Sequence, residues 1–194
     1  MFVRTESFSE FIKLYPVITI LVAVHLLLYI ITNTPFFPTQ ELFALLSGVN
    51  VYIADGEVWR LVTPIFLHSG FAHVLFNSFS LILFGPALER LLGKGKFLFL
   101  YLISGVLANI ATFFLQPLTY IHVGSSGAIF GLFGYYISVV LLQKSWFARE
   151  VSQVVIPIVI IGSIMTFFQS GVNITAHMSG LLAGFGIGWF WNKK

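Results

Sequence analysis

Two residues of this chain have the side chains and the surroundings for nucleophilic catalysis. Ser126 lies in Gly124-Ser125-Ser126-Gly127 at the start of an apolar run, and His177 lies in a later run within Ala176-His177-Met178-Ser179-Gly180. A histidine beside a serine can act as the general base that activates the hydroxyl. A serine at a helix N-terminus also meets free backbone N–H groups and the positive end of the helix dipole, which both stabilise an oxyanion. The alternative is that the two serines only cap the helix and that His177 only bonds to a neighbouring helix.

Glycine patterns predict that the helices carrying Ser126 and His177 pack tightly. Each run has small residues at helical spacing on or near the face of its polar residue. The glycines are Gly127, Gly131 and Gly134 after Ser126, and Gly180, Gly184 and Gly188 after His177. Glycine faces let two helix backbones approach closely inside a membrane. The patterns therefore favour a contact that brings the serine and the histidine together.

A second polar pair lies in an earlier run, within His73-Val74-Leu75-Phe76-Asn77. His73 and Asn77 are four residues apart, so they share a helix face. Both can donate a hydrogen bond to a developing negative oxygen. The alternative is polar bonding between helices. His68 is off that face and is interpreted as structural at the helix entry, and Glu89 is expected to form an ion pair or a backbone anchor in the loop that follows.

The composition decides the class of protein that must position these residues. Of 194 residues, 58% are hydrophobic and only 9% are charged, against about 25% charged in a soluble domain. Such a chain needs lipid around it. The absence of cysteine excludes disulfides and thiolate nucleophiles. The apolar runs contain no aspartate, which excludes an intramembrane aspartyl dyad, and the spacing of His68 and His73 does not suit a metal site. No cofactor and no metal are expected.

Six apolar runs approach the ~20 residues that a spanning helix needs. They cover residues 16–32, 70–88, 97–115, 124–142, 152–169 and 175–191. We therefore predict an all-α membrane protein with a single domain over residues 1–194. His25 in the first run is expected to face neighbouring helices. The long segment 33–69 is too apolar for a solvated loop, so short elements at 42–46 and 58–62 are expected to lie in the membrane interface.

The basic residues predict the orientation in the membrane. Nine of the ten fall on one side of the alternating runs, and only Arg60 falls on the other. The nine are Arg4, Lys13, Arg90, Lys94, Lys96, Lys144, Arg149, Lys193 and Lys194. The positive-inside rule then places both termini in the cytoplasm, which an even number of spans requires. The same scatter of short basic clusters argues against a nucleic-acid partner.

At these residues the sequence resembles the rhomboid family of intramembrane serine proteases. The similarity extends from about Trp59 to Gly188. It rests on five elements in the family's order: Trp59-Arg60, His68 with His73 to Asn77, Glu89 with Gly93, Gly124-Ser125-Ser126-Gly127, and Ala176-His177 with Gly180 and Gly184. Each element alone is weak, but together they are highly specific.

The resemblance implies a six-transmembrane-helix rhomboid bundle and a Ser–His dyad with no acid. Ser126 would be the nucleophile and His177 the base, with an oxyanion hole made by the Ser126 N–H, His73 and Asn77. His68, Trp59, Arg60 and the motif glycines Gly124, Gly127, Gly180 and Gly184 would have supporting roles. Substrates would be single-span membrane proteins. The short tails add the expectation of a minimal bacterial form in the plasma (inner) membrane.

One position departs from some members of the family. Four residues after Ser126 those members carry a tyrosine packed against the catalytic histidine, and here the residue is Phe130. A phenylalanine keeps the ring stacking but loses the hydroxyl hydrogen bond. Two other functions remain open from the sequence: a catalytically inactive rhomboid relative that binds membrane clients, and a small transporter whose intramembrane polar residues mark a pathway.

Overall fold

The structure is a computed structural model that describes residues 5–143, 145–168 and 171–193. Within these residues the chain forms nine α-helices, two 3₁₀ turns and one short antiparallel sheet. The elements are α1 (Phe8–Leu14), α2 (Pro16–Asn33), α3 (Thr39–Leu46), β1 (Gly48–Val49), α4 (Asn50–Ala54), 3₁₀ turns at Val58–Leu61 and Thr63–Phe66, α5 (Phe71–Leu92), α6 (Lys94–Leu115), β2 (Ile121–His122), α7 (Ser126–Leu142), α8 (Trp146–Phe168) and α9 (Ile174–Asn192). The all-helical prediction is confirmed for this part of the chain.

Helices occur at all six places where the apolar runs predict them. By length and composition, α2, α5, α6 and α8 can each cross a membrane. Helix α7 has 17 residues and is a shorter apolar helix. Helix α9, whose glycines, histidine and tryptophans lower its mean hydropathy, does not meet the same criterion. Four helices of the described chain are therefore long and apolar enough to span a membrane, and the count of six goes beyond them.

Helix α8 begins earlier than the hydropathy indicates. The predicted run starts at residue 152, whereas the helix starts at Trp146. Its first turns include Arg149 and Glu150, which interrupt an apolar pattern without interrupting a helix. The Ser145 hydroxyl accepts a hydrogen bond from the Ala148 N–H at 3.1 Å and so supports the early start. The predicted end at residue 169 lies outside the described residues, as do three of the cations used for orientation, Arg4, Lys144 and Lys194.

The chain divides into two compact units. The first comprises Met1–Phe99 with Pro117–Ser125 and the second comprises Leu100–Gln116 with Ser126–Lys194, so the boundary falls within α6.

In the first unit, α2 packs against α5. The Glu89 carboxylate on α5 accepts hydrogen bonds from the backbone N–H groups of Val17 and Ile18, each at 3.1 Å. These are unpaired donors of the first turn of α2, where a negative charge also suits the helix dipole. The prediction that Glu89 anchors the loop after α5 is therefore wrong. Glu89 anchors the start of a preceding helix, a long-range contact that sequence spacing does not reveal.

The segment between α2 and α5 has short elements at both predicted places. Helix α3 covers residues 42–46, and the first 3₁₀ turn, Val58–Leu61, covers most of 58–62. Strand β1 pairs with β2 so that Gly48 lies opposite His122 and Val49 opposite Ile121. This pairing holds the stretch of chain that leads to α7. Whether the short elements lie in the membrane interface stays a prediction.

The second unit is built around α7 and α9, and α8 contacts both. Its core has large residues of α6 and α7, including Tyr101, Tyr135 and Tyr136, which are at most 1% exposed. In the C-terminal half of α7, the hydroxyls of Tyr135 and Ser138 bond to the side-chain amide of Asn192 on α9. These bonds fix the C-terminal half of α7 to the end of α9.

Candidate active site

Ser126 is the first residue of α7, and the chain enters this helix through a constrained turn. Gly124 has φ +116°, a conformation that residues with a side chain rarely adopt. Its N–H donates to the carbonyl of Pro64 at 2.8 Å. Ser125 is fully buried and its hydroxyl lies 3.4 Å from His68 Nε2. Ser126 itself is partly exposed and stands at the end of α7 where backbone N–H groups have no partner within the helix.

His177 lies at the end of the first turn of α9 and is 9% exposed. The helix start is held by Asn173, whose side-chain oxygen accepts from the Ala176 N–H at 2.9 Å. The Asn173 amide nitrogen in turn donates to the Thr112 hydroxyl on α6 at 2.9 Å. The first turn that carries the histidine is thus fixed to its neighbour by side-chain hydrogen bonds.

The imidazole of His177 is held on two sides. The ring of Phe130 stacks on it with a centroid separation of 4.1 Å and an angle of 15° between planes. The hydroxyl of Thr166 on α8 lies 2.9 Å from His177 Nδ1. Phe130 is four residues after Ser126, hence on the same face of α7. The histidine ring therefore lies against the face of α7 that begins with Ser126.

Glycines of α7 and α9 meet backbone to backbone, which confirms the predicted close packing. A Cβ on Gly180 would overlap the carbonyl oxygen of Gly127, and one on Gly184 would overlap that of Gly131. A Cβ on Gly127 would lie 3.4 Å from the carbonyl oxygen of Ala176. The residue after Ser126 thus lies close to the residue before His177. Side chains at Gly180 and Gly184 would force the two helices apart.

His73 and Asn77 both lie beside Gly124 within the first unit. A Cβ on Gly124 would fall 2.5 Å from His73 Nε2 and 3.8 Å from Asn77 Nδ2. Only a glycine therefore fits here, for its conformation and for its space. The other ring nitrogen of His73 lies 3.2 Å from the Ser69 hydroxyl. Two hydrogen-bond donors thus lie at the residue that comes two positions before Ser126 in the chain.

His68 lies at the centre of a row of three imidazoles. Its ring centroid is 4.9 Å from that of His25 and 5.0 Å from that of His73, with edge-on geometry. His25 is fully buried. Burial, chiefly, lowers the pKa of His68 to about 3, so this ring is neutral at pH 7 and packs without charge behind the Gly124–Ser125 turn.

Trp59 and Arg60 are placed by the structure in the segment before α5. The Arg60 guanidinium donates to the carbonyls of Ala44 at 2.5 Å and Ser47 at 2.7 Å, and it pairs with Glu57 at 2.5 Å. The Trp59 indole N–H donates to the Leu45 carbonyl at 3.4 Å. Every one of these bonds is made to residues 44–57. The pair therefore ties the end of α3 to the first 3₁₀ turn.

Comparisons with known proteins identify the family of this chain. Residues 55–194 match the family model of the Rhomboid domain. The chain belongs to the rhomboid family. It is 46% identical over 185 residues to YdcA of Bacillus subtilis, which is itself only provisionally named a rhomboid protease, and the match covers 95% of this chain and 93% of that one.

Two further relatives carry protease names. This rhomboid is 42% identical over 147 residues to the Rhomboid protease GluP of Bacillus subtilis, a match that covers 76% of this chain but only 29% of GluP. It is 33% identical over 174 residues to Rhomboid-like protease 1 of Toxoplasma gondii, covering 84% of this chain and 57% of the relative. With its family and its apolar helices, this rhomboid is a multi-pass membrane protein.

Two buried polar residues of this rhomboid, one beside His177 and one on β2, were missed from the sequence. Thr166 beside His177 gives no signal, because one threonine in an apolar run is common and its contact depends on how α8 packs against α9. His122 on β2 is 7% exposed, and neither of its ring nitrogens has a hydrogen-bond partner. Its ring fills the space over Gly48, where a Cβ would overlap it. Among the described residues no group of three or more histidines and acids could hold a metal ion.

Proposed function

We propose that this rhomboid is an intramembrane serine endopeptidase that hydrolyses peptide bonds in or near the transmembrane segments of membrane-protein substrates. The observation that carries the proposal is the stacking of His177 on Phe130, one helical turn along α7 from Ser126. It is supported by the glycine contacts between α7 and α9 and by the protease names of the relatives.

The reaction follows from the two side chains. The Ser126 hydroxyl attacks the carbonyl carbon of the peptide bond, and its proton passes to His177. The tetrahedral intermediate collapses, the C–N bond breaks, and the proton moves from His177 to the leaving amine. Water then attacks the acyl ester and gives its proton to His177; the ester C–O bond breaks, His177 returns that proton to the Ser126 oxygen, and the carboxylic acid leaves. The dyad needs no acidic residue to complete this cycle.

We place the oxyanion hole at the Ser126 N–H, His73 and Asn77. The support is that His73 and Asn77 converge on Gly124, which leads into Ser126 through a single residue. Preorganised donors stabilise the negative oxygen of the intermediate, and loss of one donor costs roughly 10²–10³ in rate. His68 would stabilise the same turn through its contact with the Ser125 hydroxyl.

We propose six membrane spans, formed by α7 and α9 together with the four helices that are long and apolar enough to span, and cytoplasmic termini in a bacterial plasma membrane. The support is the distribution of basic residues on one side of the runs. Because the chain has no cysteine, single cysteines at Lys13 and Ile121 can be probed with an impermeant thiol reagent on intact cells. Labelling at position 13 rather than 121 would refute the orientation.

The test of the catalytic proposal is labelling with a fluorophosphonate serine probe in detergent. Wild type should be labelled, and Ser126→Ala and His177→Ala should not. Asn77→Ala should be labelled slowly, since one oxyanion donor is lost while the dyad stays intact. A wild-type chain that is not labelled in several detergents, and that binds single-span proteins without cutting them, would instead indicate a client-binding relative. Labelling of Ser126→Ala at the wild-type rate would remove Ser126 as the nucleophile.

A further inference from the structure

A threonine on α8 contacts His177 at Nδ1. Thr166 is 3% exposed and lies two residues before Phe168, the last residue of α8. Its hydroxyl oxygen is 2.9 Å from His177 Nδ1 and also 2.9 Å from the carbonyl oxygen of Gly162 on its own helix. A threonine hydroxyl inside a helix commonly bonds to the carbonyl four residues earlier, and here its oxygen meets an imidazole nitrogen as well.

The direction of both hydrogen bonds follows from the atoms involved. A carbonyl oxygen can only accept, so the single proton of the Thr166 hydroxyl is donated to Gly162. The lone pairs of the hydroxyl oxygen remain, and they can only accept from the imidazole. Both contacts are satisfied together when His177 carries its proton on Nδ1. A neutral imidazole has one N–H, so Nε2 is then the unprotonated nitrogen.

This arrangement matters because a general base must present a lone pair to the serine. In serine proteases with a triad, a buried aspartate holds the histidine in the required tautomer, and its loss puts the ring in the wrong one. Here Phe130 fixes the plane of the ring by stacking, but a ring face cannot choose between the two nitrogens. The hydroxyl of Thr166 can choose, because it accepts at Nδ1.

We infer that Thr166 is a positioning residue that sets the tautomer and the in-plane rotation of His177, in the place that an acidic residue takes in a triad. The inference rests on the proposed Ser126–His177 dyad. It goes beyond that dyad because it assigns a role in the chemistry to α8, a helix that carries neither catalytic residue. Thr166 would touch neither substrate nor the reacting atoms.

The experiment compares Thr166→Val, which has the same shape and no hydroxyl, with Thr166→Ser, which keeps the hydroxyl. The first readout is the rate at which a fluorophosphonate probe labels purified protein. Loss of one neutral hydrogen bond should slow labelling by Thr166→Val about tenfold. Thr166→Ser should stay within about threefold of wild type. Thr32→Val is the control, since Thr32 is a 7% exposed threonine with the same kind of bond to the carbonyl four residues earlier.

The second readout is the ¹⁵N NMR spectrum of labelled histidine, which distinguishes a protonated from an unprotonated ring nitrogen. The chain has five histidines, so the His177 signals are assigned by their loss in His177→Gln. Wild type and Thr166→Ser should show the proton on Nδ1, and Thr166→Val should show a mixture of tautomers. A merely structural role for Thr166 would lower the unfolding temperature without changing the tautomer. Thr166→Ala replaces the valine variant if that variant does not fold.

The outcomes separate this inference from the proposed function. Thr166→Val with the wild-type labelling rate and the wild-type tautomer would overturn the role of Thr166 and leave the dyad intact. A wild-type His177 with its proton on Nε2 would overturn it regardless of activity. Labelling that persists in Ser126→Ala would instead remove the dyad, and the NMR spectrum would still report whether Thr166 sets the tautomer.

Discussion

Replacing Gly184 with alanine tests whether the contact between α7 and α9 brings Ser126 and His177 together. The new Cβ would overlap the carbonyl oxygen of Gly131 and would lie 2.5 Å from its carbonyl carbon and 2.7 Å from its Cα. These are backbone atoms, which cannot rotate out of the way. Gly186 on the same helix is the matched control, since a Cβ there has nothing within 4 Å.

The size of the effect can be worked from these distances. Ordinary contact begins near 3.4 Å, so relieving the 2.5 Å contact alone requires the helices to separate by at least about 0.9 Å. Forced overpacking of this kind costs about 3 kcal/mol, offset by about 1 kcal/mol from the better helix propensity of alanine. We expect Gly184→Ala to be destabilised by about 2 kcal/mol and Gly186→Ala, which gains only the helix propensity, to be stabilised by up to about 1 kcal/mol.

The activity should fall more steeply than the stability. A displacement of about 1 Å between reacting groups can cost roughly 10²-fold in rate. Labelling by a fluorophosphonate probe, with unfolding temperature measured in the same detergent, should therefore show a roughly 100-fold loss for Gly184→Ala and none for Gly186→Ala. If the two variants have the same rate and the same unfolding temperature, the backbone contact does not position the dyad and the reasoning fails.

Two further predictions concern the first unit. Burial lowers the pKa of His122 to about 4, below the ~6.5 of an exposed histidine, so an opened β1–β2 pairing binds more protons than the closed one. Stability of this pairing should then fall as the pH drops from about 6.5 towards 4, by about 2 kcal/mol at pH 5. Limited proteolysis around residues 48–56 at pH 5 and pH 7 measures this, and His122→Phe should abolish the difference; an equal pH effect in that variant would assign it to another group. Glu89→Gln weakens the charge-assisted bonds to the N–H groups of Val17 and Ile18 and should lower stability by about 1.5–3 kcal/mol, seen as a lower unfolding temperature. Exposed Glu10, replaced by Gln, is its control, and equal shifts in the two variants would contradict the anchoring role.

The sequence predicts the features that depend on local pattern. The positions of the helices follow from apolar runs, and the contact of α7 with α9 follows from glycines at helical spacing, as Gly131 and Gly184 illustrate. The predicted start of α8 was wrong because Arg149 and Glu150 interrupt the apolar run, whereas the helix itself begins before them, at Trp146. Charged residues near the start of a helix end an apolar run although the helix continues through them.

Features that depend on contacts between distant segments were not predictable. Glu89 and Val17 are far apart in the chain, and nothing in either neighbourhood indicates the other. The same holds for Thr166 and His177, which meet only because α8 packs against α9. The identity of candidate catalytic residues was accessible, since a serine and a histidine in apolar runs need an explanation. The residues that orient them were not, since a threonine or a glutamate has many ordinary roles.

The placement of Ser126 on α7 and His177 on α9 has a consequence for the newly made protein. The two residues are about 50 positions apart, which a ribosome covers in roughly 3–10 s at its usual speed. During that interval the proposed nucleophile exists while its proposed base has not yet been synthesised. On the proposed dyad mechanism, a nascent chain that has acquired α7 and α8 is therefore inert towards the membrane proteins being inserted beside it. Proteolytic competence would then arise in a single late event, when the glycines of α9 dock onto those of α7.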